Sequence, residues 1–330
     1  MIRYYCLDGG RLVSAEAVAE KPAAAVNAIP GWASLVCFSN PDASERALLL
    51  EMGISEHDVS SALDPDELGR MEMLDDHTVL IMKTPRNYSK EDNYLFRVTS
   101  YGLFLFADKL IMVSHFDEHE ILDQRPFARI KSRGELLIKI ISATVAHFFG
   151  HLRVINMISD ALEQKVNSSM ENEHLLSMFS IGKSLIYILN GIASNTAVLE
   201  RMKNAAGKLQ FTEDERDHLD DIVIENMQCN RQAEIYADIL TSLTDARGNI
   251  VNNNLNILIK RLTIVSVIFM PLNVIAGIGG MSEFSAMTQG IPFWVSYPLL
   301  SLAMVGIAVA MWFLIRTMSP DPGKKRRKRR

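Results

Sequence analysis

Two stretches of the chain carry no charged residue, Leu262–Ile278 and Pro292–Ile315. Each is close to the ~20 residues an α-helix needs to cross a bilayer core of ~30 Å. Buried helices of a large soluble protein would give similar runs, but two in succession at the C-terminus favour a membrane hairpin. The pattern upstream is different. As far as His115, short β-branched and aromatic runs alternate with polar turns, which predicts strands over Ile2–Leu7, Ala33–Phe38, Thr78–Lys83, Phe96–Tyr101 and Leu110–His115. Leu103–Phe106 extends one of them, with Ala107-Asp108-Lys109 as a hairpin turn. Between the strands, Ala43–Glu51 and Val59–Ala62 read as helices capped by Asp42 and Asp58.

From Phe127 to Pro271 there is no proline, and helical periodicity runs almost throughout, with breaks expected near Gly207 and Gly248. Helical character running into the first apolar stretch predicts a long helix that continues into the membrane. The expected organisation is an α/β sheet domain over 1–120 and long helices, including a stalk, over 121–255. A first span over 256–278, an outer loop over 279–291, a second span over 292–316 and a basic tail over 317–330 complete it.

Charge gives the hairpin an orientation. Lys260 and Arg261 precede the charge-free stretch of the first span, Arg316 follows that of the second, and the connector Gly279–Ile291 holds neither Lys nor Arg. By the positive-inside rule both termini are expected in the cytoplasm. Trp294 and Tyr297 stand where interfacial anchors would at the start of the second span. The net charge of −5 conceals a split, because the seven residues Lys324–Arg330 are all basic and their removal leaves −12. Such a body repels nucleic-acid phosphate, so no nucleic-acid partner is expected; the tail suits anionic membrane lipid. Hydrophobic residues make up 48% of the 330, and the mean hydropathy of +0.09 comes from the two spans. Cys6, Cys37 and Cys229 are far apart and read as reduced thiols without a metal or disulfide framework.

Two charged or polar patterns suggest ion handling. Glu213–Asp245 holds ten acids against Arg216 and Arg231. That is either a solvated helix face or a negative field that collects cations. The second pattern lies in the first span, which a simple anchor would leave apolar throughout. Asn256, Ile259, Leu262, Ser266, Met270, Asn273, Gly277 and Gly280 follow one another in steps of three and four, so they share one helix face. Polar groups in hydrocarbon must face protein or water. Helix packing by small residues is one use of such a stripe; a pore of alternating constrictions and hydrogen-bonding rings is the other.

Pro271-Leu272-Asn273-Val274-Ile275-Ala276-Gly277-Ile278-Gly279-Gly280-Met281-Ser282 resembles the end of the first membrane helix of the CorA family of divalent-cation channels. There a proline leads through Ile-Ala-Gly to a Gly-Met-Asn signature. Asn253–Thr263 resembles the family's approach to the pore, and Ser61–Glu72 the segment before a cytosolic strand. The resemblance implies a homopentameric funnel in a bacterial inner (plasma) membrane: an α+β cytosolic domain, a long stalk helix and two C-terminal transmembrane helices, the first lining the pore. It implies transport of a divalent cation, Mg²⁺ with Co²⁺ or Ni²⁺ as further candidates, with no enzyme activity and no organic cofactor. It also implies gating by cytosolic divalent cation, with Asp245 matching a family aspartate in that role and Asp64 or Asp66 as its partner across a subunit interface.

One departure bears on ion choice. The selectivity mouth would comprise Gly280, Met281, Ser282 and Glu283, but the aligned family residue is asparagine where this chain has Ser282. Magnesium sheds water reluctantly, and a ring of amide carbonyls can hold its hydration shell. A serine hydroxyl is shorter and a weaker dipole, and a ring of Glu283 carboxylates could replace the lost attraction by charge. Zinc transport of the ZntB kind, or a non-conducting membrane-anchored sensor or scaffold, are the alternatives. Elsewhere, His147 and His151 are spaced for one metal on a helix, yet Phe148 and Phe149 lie between them and no third ligand is evident. The run His115–Glu120 reads as a helix start. No phosphate-binding loop, H-E-x-x-H or nucleophile elbow occurs, so passage down an electrochemical gradient is expected.

Overall fold

A computed structural model describes residues 1–14, 30–86, 95–125, 127–168, 172–282, 286 and 290–318. The chain forms two compact units, Met1–Asp245 and Ala246–Arg330.

The first unit is built on one seven-stranded sheet. Its strands are β1 (Ile2–Asp8), β2 (Arg11–Ser14), β3 (Leu35–Ser39), β4 (Arg70–Met73), β5 (His77–Pro85), β6 (Val98–Phe106) and β7 (Leu110–Ser114), in the order β2-β1-β3-β7-β6-β5-β4. All neighbours are antiparallel except β3 and β7. Period-2 alternation sorts the side chains to two faces. Val36, Phe38, Val79, Ile81, Phe104, Ile111 and Val113 face helices α1 (Ala43–Glu51) and α2 (Glu56–Leu63), packing with Leu49, Val59 and Ala62. Leu35, Cys37, Leu80, Met82, Leu103, Leu110 and Met112 face the opposite way, into a core with Leu136, Leu137, Ile140, Val198 and Met202. With both faces covered, β5 is buried at all nine positions. All three cysteines are buried and unbridged, as the sequence leads one to expect.

After a short turn of helix α3 (His119–Leu122), the remaining elements are α4 (Arg133–Ser168), α5 (Asn172–Ala205), α6 (Glu213–Gly279) and α7 (Phe293–Met318). In the first unit, α4, α5 and the N-terminal half of α6 share a core that includes Phe148, Leu152, Ile181, Leu185, Ile192, Cys229 and Ala233. The second unit contains the rest of α6 and α7.

Several local expectations are corrected. Asp42 does cap α1, in a capping box closed by Glu45. The cap of α2, however, is Ser55, whose hydroxyl accepts from the Asp58 N–H at 3.1 Å. Asp58 sits inside the first turn, where its carboxylate takes Arg70 at 2.9 Å. Two edge strands, β2 and β4, were not expected; they are four residues each, too short to show an alternation. The expected strand at Phe96 starts at Val98 and runs on through Leu103–Phe106. The helix break near Gly207 is present, between α5 and α6, but the break near Gly248 is not. Gly248 lies within α6, where nothing approaches a Cβ built on it, and one glycine costs a helix only about 1 kcal/mol.

Candidate functional site: the polar stripe of the long helix

Among the described residues, four helices carry windows apolar enough to span a membrane, and burial separates them into two pairs. The apolar windows of α4 and α5 are 61% and 39% buried within the chain, part of their hydrophobic surface being packed on the sheet and on each other. Those of α6 and α7 are 0% buried and have the higher mean hydropathies, 1.8 and 2.3. Apolar surface of that extent requires an apolar surrounding. The candidate spans left uncovered among the described residues are the C-terminal half of α6 and α7.

Within α6, Asn256, Ile259, Leu262, Ser266, Met270, Asn273 and Gly277 are all exposed, in one continuous helix. The polar members fall into two kinds. The Thr263 hydroxyl, beside the stripe, donates to the Ile259 carbonyl at 2.8 Å and so satisfies itself along its own helix. The side-chain amides of Asn256 and Asn273 make no hydrogen bond to any described residue, so they remain available to groups outside the chain. Pro271 sits inside the helix and supplies no N–H, which leaves the Val267 carbonyl without its usual donor. That places an extra acceptor in the turn between Ser266 and Met270.

At the end of the stripe, the Gly280 N–H donates to the Ala276 carbonyl at 3.0 Å and the Met281 N–H to Ile278 at 3.1 Å, which closes the helix. Met281 and Ser282 are exposed. Glu283 and the basic tail lie outside the described residues.

The candidate regulatory carboxylates line different places. Asp64 ends α2 and accepts the Asp66 N–H at 2.9 Å. Asp66 lines a cavity between the sheet and α5 together with Lys83, whereas Asp245 lines a separate cleft between α5 and α6 with Phe179, Ile186 and Thr241. Lys183 borders both. One chain thus does not gather these acids into a cluster. Of the ten acids between Glu213 and Asp245, four are engaged locally. Glu225 pairs with Arg125 at 2.8 Å, Asp220 with Lys203 at 2.9 Å and Glu234 with Arg231 at 2.9 Å. Glu215 accepts from Ser132 and from the Thr212 N–H; burial pushes its pKa up, but these hydrogen bonds outweigh burial and leave it below the ordinary value. Glu213, Asp214, Asp217, Asp221, Asp238 and Asp245 are exposed.

Among the described residues, Asp117, Glu118 and His119 form the one cluster of three groups close enough to share an ion. The cluster is already filled. Glu118, fully buried, accepts from Arg3 at 2.9 Å, Tyr5 at 3.0 Å and Ser39 at 2.6 Å, and Asp117 takes Arg3 at 2.8 Å. Burial disfavours the Glu118 carboxylate, yet these three donors hold its pKa below the usual range. A guanidinium occupies the place a metal would need. The run at His115–Glu120 is, as expected, the approach to a helix, α3.

His147 and His151 are buried on α4 with their Nε2 atoms 3.0 Å apart, and His147 Nδ1 lies 3.3 Å from the Thr84 hydroxyl. Burial, with His151 adding to it, pushes the His147 pKa down to about 3, and burial pushes His151 down to about 4. Phe96 stands edge-on to His151. No third metal ligand joins them among the described residues, so they are a neutral core pair.

The profile of the family described as "CorA-like Mg2+ transporter protein" matches residues 34–325. The chain belongs to the CorA family. It is 26% identical over 255 residues to the cobalt/magnesium transport protein CorA of Methanocaldococcus jannaschii, covering 74% of this chain and 78% of that one. The complete structure of the CorA magnesium transporter from the same organism superposes with a TM-score of 0.75 at 20% identity, over 96% of this chain and 97% of that one. The ZntB cytoplasmic domain from Vibrio parahaemolyticus superposes with a TM-score of 0.58 at 16% identity, over 76% and 98%. These likenesses cover both the sheet domain and the long helices, so the CorA fold is present in full. This CorA-family chain is a divalent-cation transporter of the membrane.

Proposed function

We propose that the chain conducts Mg²⁺ passively across the bacterial inner membrane, through a pore lined by the Asn256–Gly280 stripe repeated around the axis of a homopentamer. Both termini are in the cytoplasm, and divalent cation at Asp245 biases the pore towards closure. The observation that carries this reading is the pair of amides, Asn256 and Asn273, exposed on one face of the long helix α6 and without a hydrogen-bond partner among the described residues. In hydrocarbon such groups cost several kcal/mol each; facing a water-filled axis they cost little and can hold the hydration shell of an ion. An inside-negative potential favours entry of a divalent cation by roughly 4.6 kcal/mol per 100 mV, so no pump is needed.

Ion choice turns on Ser282. Its hydroxyl orders the water around Mg²⁺ less firmly than an amide ring would, which narrows the margin of Mg²⁺ over Co²⁺, Ni²⁺ and Zn²⁺. Flux into proteoliposomes, measured for each ion on the natural chain and on Ser282→Asn, tests this. The expected result is divalent flux in both, with the preference for Mg²⁺ sharper in Ser282→Asn. Zinc flux driven by a proton gradient would establish the ZntB-type alternative, and absence of any flux would establish the scaffold.

A further inference from the structure

A cavity of about 780 Å³ lies between the sheet and α5, wholly inside the first unit. Its lining reverses the charge of its surroundings. Lys83, Arg97 and Lys183 line it with one acid, Asp66, in a body whose net charge is strongly negative; Asp64 and Glu67, outside the lining, also act on the Lys83 ammonium. Lys83 lies in the buried β5, 7% exposed, and its ammonium donates to the Pro65 carbonyl at 2.6 Å and to the Ser100 hydroxyl at 3.0 Å. An ammonium has three donors, so one is left. Arg97 and Lys183, both exposed, have no ion-pair partner among the described residues. Lys183 instead rests over the Tyr187 ring, its Nζ 5.6 Å from the centroid. A contact of that kind is weak at an exposed site, so an arriving anion can draw the ammonium away and free the ring face.

The remaining lining is that of a small-molecule site. Leu68, three-quarters exposed, and Val98 provide apolar wall, and Asn190 adds an amide. Gly191 keeps the wall close: a Cβ there would lie 2.9 Å from Val98 Cγ1. The volume falls in the range of pockets that enclose ligands of nucleotide size. An inorganic anion would leave Tyr187 and Leu68 unused, and a metal cation would be repelled by three positive groups.

We propose that this cavity binds a nucleoside di- or triphosphate, with Lys83, Arg97 and Lys183 on the phosphates, Tyr187 against the base and Asp66 on the ribose hydroxyls. Arg97 suits a bidentate grip on phosphate, and a carboxylate is the common acceptor for a ribose diol. The cavity lies wholly within the first unit, and the inference does not rest on conduction.

The test uses the full chain in detergent, with EDTA present so that no metal bridges ligand and protein. Binding of N-methylanthraniloyl-ADP is followed by fluorescence anisotropy, with ADP, ATP, adenosine and inorganic phosphate as competitors. Saturable binding is expected, displaced by ADP and ATP and much less well by adenosine or phosphate. Arg97→Ala and Lys183→Ala, both at exposed positions, should each weaken it about tenfold, as expected for one lost charge-assisted contact. Tyr187→Ala should weaken the nucleotide several-fold and leave competition by phosphate unchanged. No saturable binding up to about 1 mM, a threshold near −4 kcal/mol, would overturn the proposal. So would equal affinity in the Arg97 and Lys183 variants, or inorganic phosphate competing as well as ADP. Because binding is read without flux, a failure here and a failure of transport are told apart.

Discussion

Acid should loosen the first unit through the His147–His151 pair, and the size of the effect follows from the geometry. Both imidazoles are buried on α4, and burial lowers their pKa values to about 3 and about 4 from an unfolded value of 6.5. A histidine whose folded pKa is depressed stays neutral in the folded chain while the unfolded chain takes up its proton. Stability is therefore full above about pH 6.5 and falls as the pH drops toward the folded pKa values. At pH 5 the unfolded state gains about 1.5 pH units of protonation energy at each site. At about 1.36 kcal/mol per unit this is about 2 kcal/mol per imidazole and about 4 kcal/mol for the pair. His151 Nδ1 is buried without a hydrogen-bond partner among the described residues, so a proton added at that nitrogen meets no acceptor. For a unit of this size, each kcal/mol moves the melting temperature by about 2–4 °C. Trp32 lies in the first unit, 6.3 Å from Tyr4, while Trp294 and Trp312 lie in the second. Melting of the full chain followed by Trp32 fluorescence, with Trp294→Phe and Trp312→Phe as background, isolates the unit. Between pH 7 and pH 5, the loss should be about 8–16 °C larger with the histidines than in the His147→Gln/His151→Leu double variant. Identical pH dependence with and without the pair would refute the reasoning.

The same melting assay reads two further substitutions. Glu118→Ala strands Tyr5 and Ser39 and leaves Arg3 with Asp117 alone, and should cost about 3–5 kcal/mol near neutral pH, as breaking a buried pair does. Because the Glu118 pKa is depressed, this stabilisation is present above the unfolded carboxyl value and disappears as the pH falls through the folded one. A cost below about 1 kcal/mol would mean that the network is screened like a surface pair. Gly102→Ala puts a methyl 2.7 Å from the Ala62 Cβ and 2.9 Å from Phe104, where β6 meets α2, and should destabilise by about 1–3 kcal/mol. A neutral result would show that α2 can move away from the sheet without loss.

What the sequence settled about this protein is whatever its local pattern repeats often enough to state. Two charge-free runs at the C-terminus, with cations flanking them, are visible as spans because no soluble core is needed to explain them. The Asn256–Gly280 stripe is legible because helical spacing alone puts those residues on one face. Strands such as Leu110–Ser114 and the Asp42 cap follow from similar short-range rules. The tertiary structure decided the rest. α4 and α5 also carry windows long and apolar enough for the membrane, less hydropathic than that of α6; their packing on the sheet and on each other shows that part of that surface is already covered. Glu118 looks like one acid in a polar run, and becomes the centre of an ion-pair network because Arg3, Tyr5 and Ser39 arrive from strands far away in sequence. Lys83, Arg97 and Lys183 reach one cavity for the same reason. The acids between Glu213 and Asp245 divide in a way no composition reveals, four engaged by neighbours and six left to the solvent. Periodicity is a property of neighbours along the chain, whereas a site is made by neighbours in space, and for this fold that second set is chosen when the strands and long helices pack.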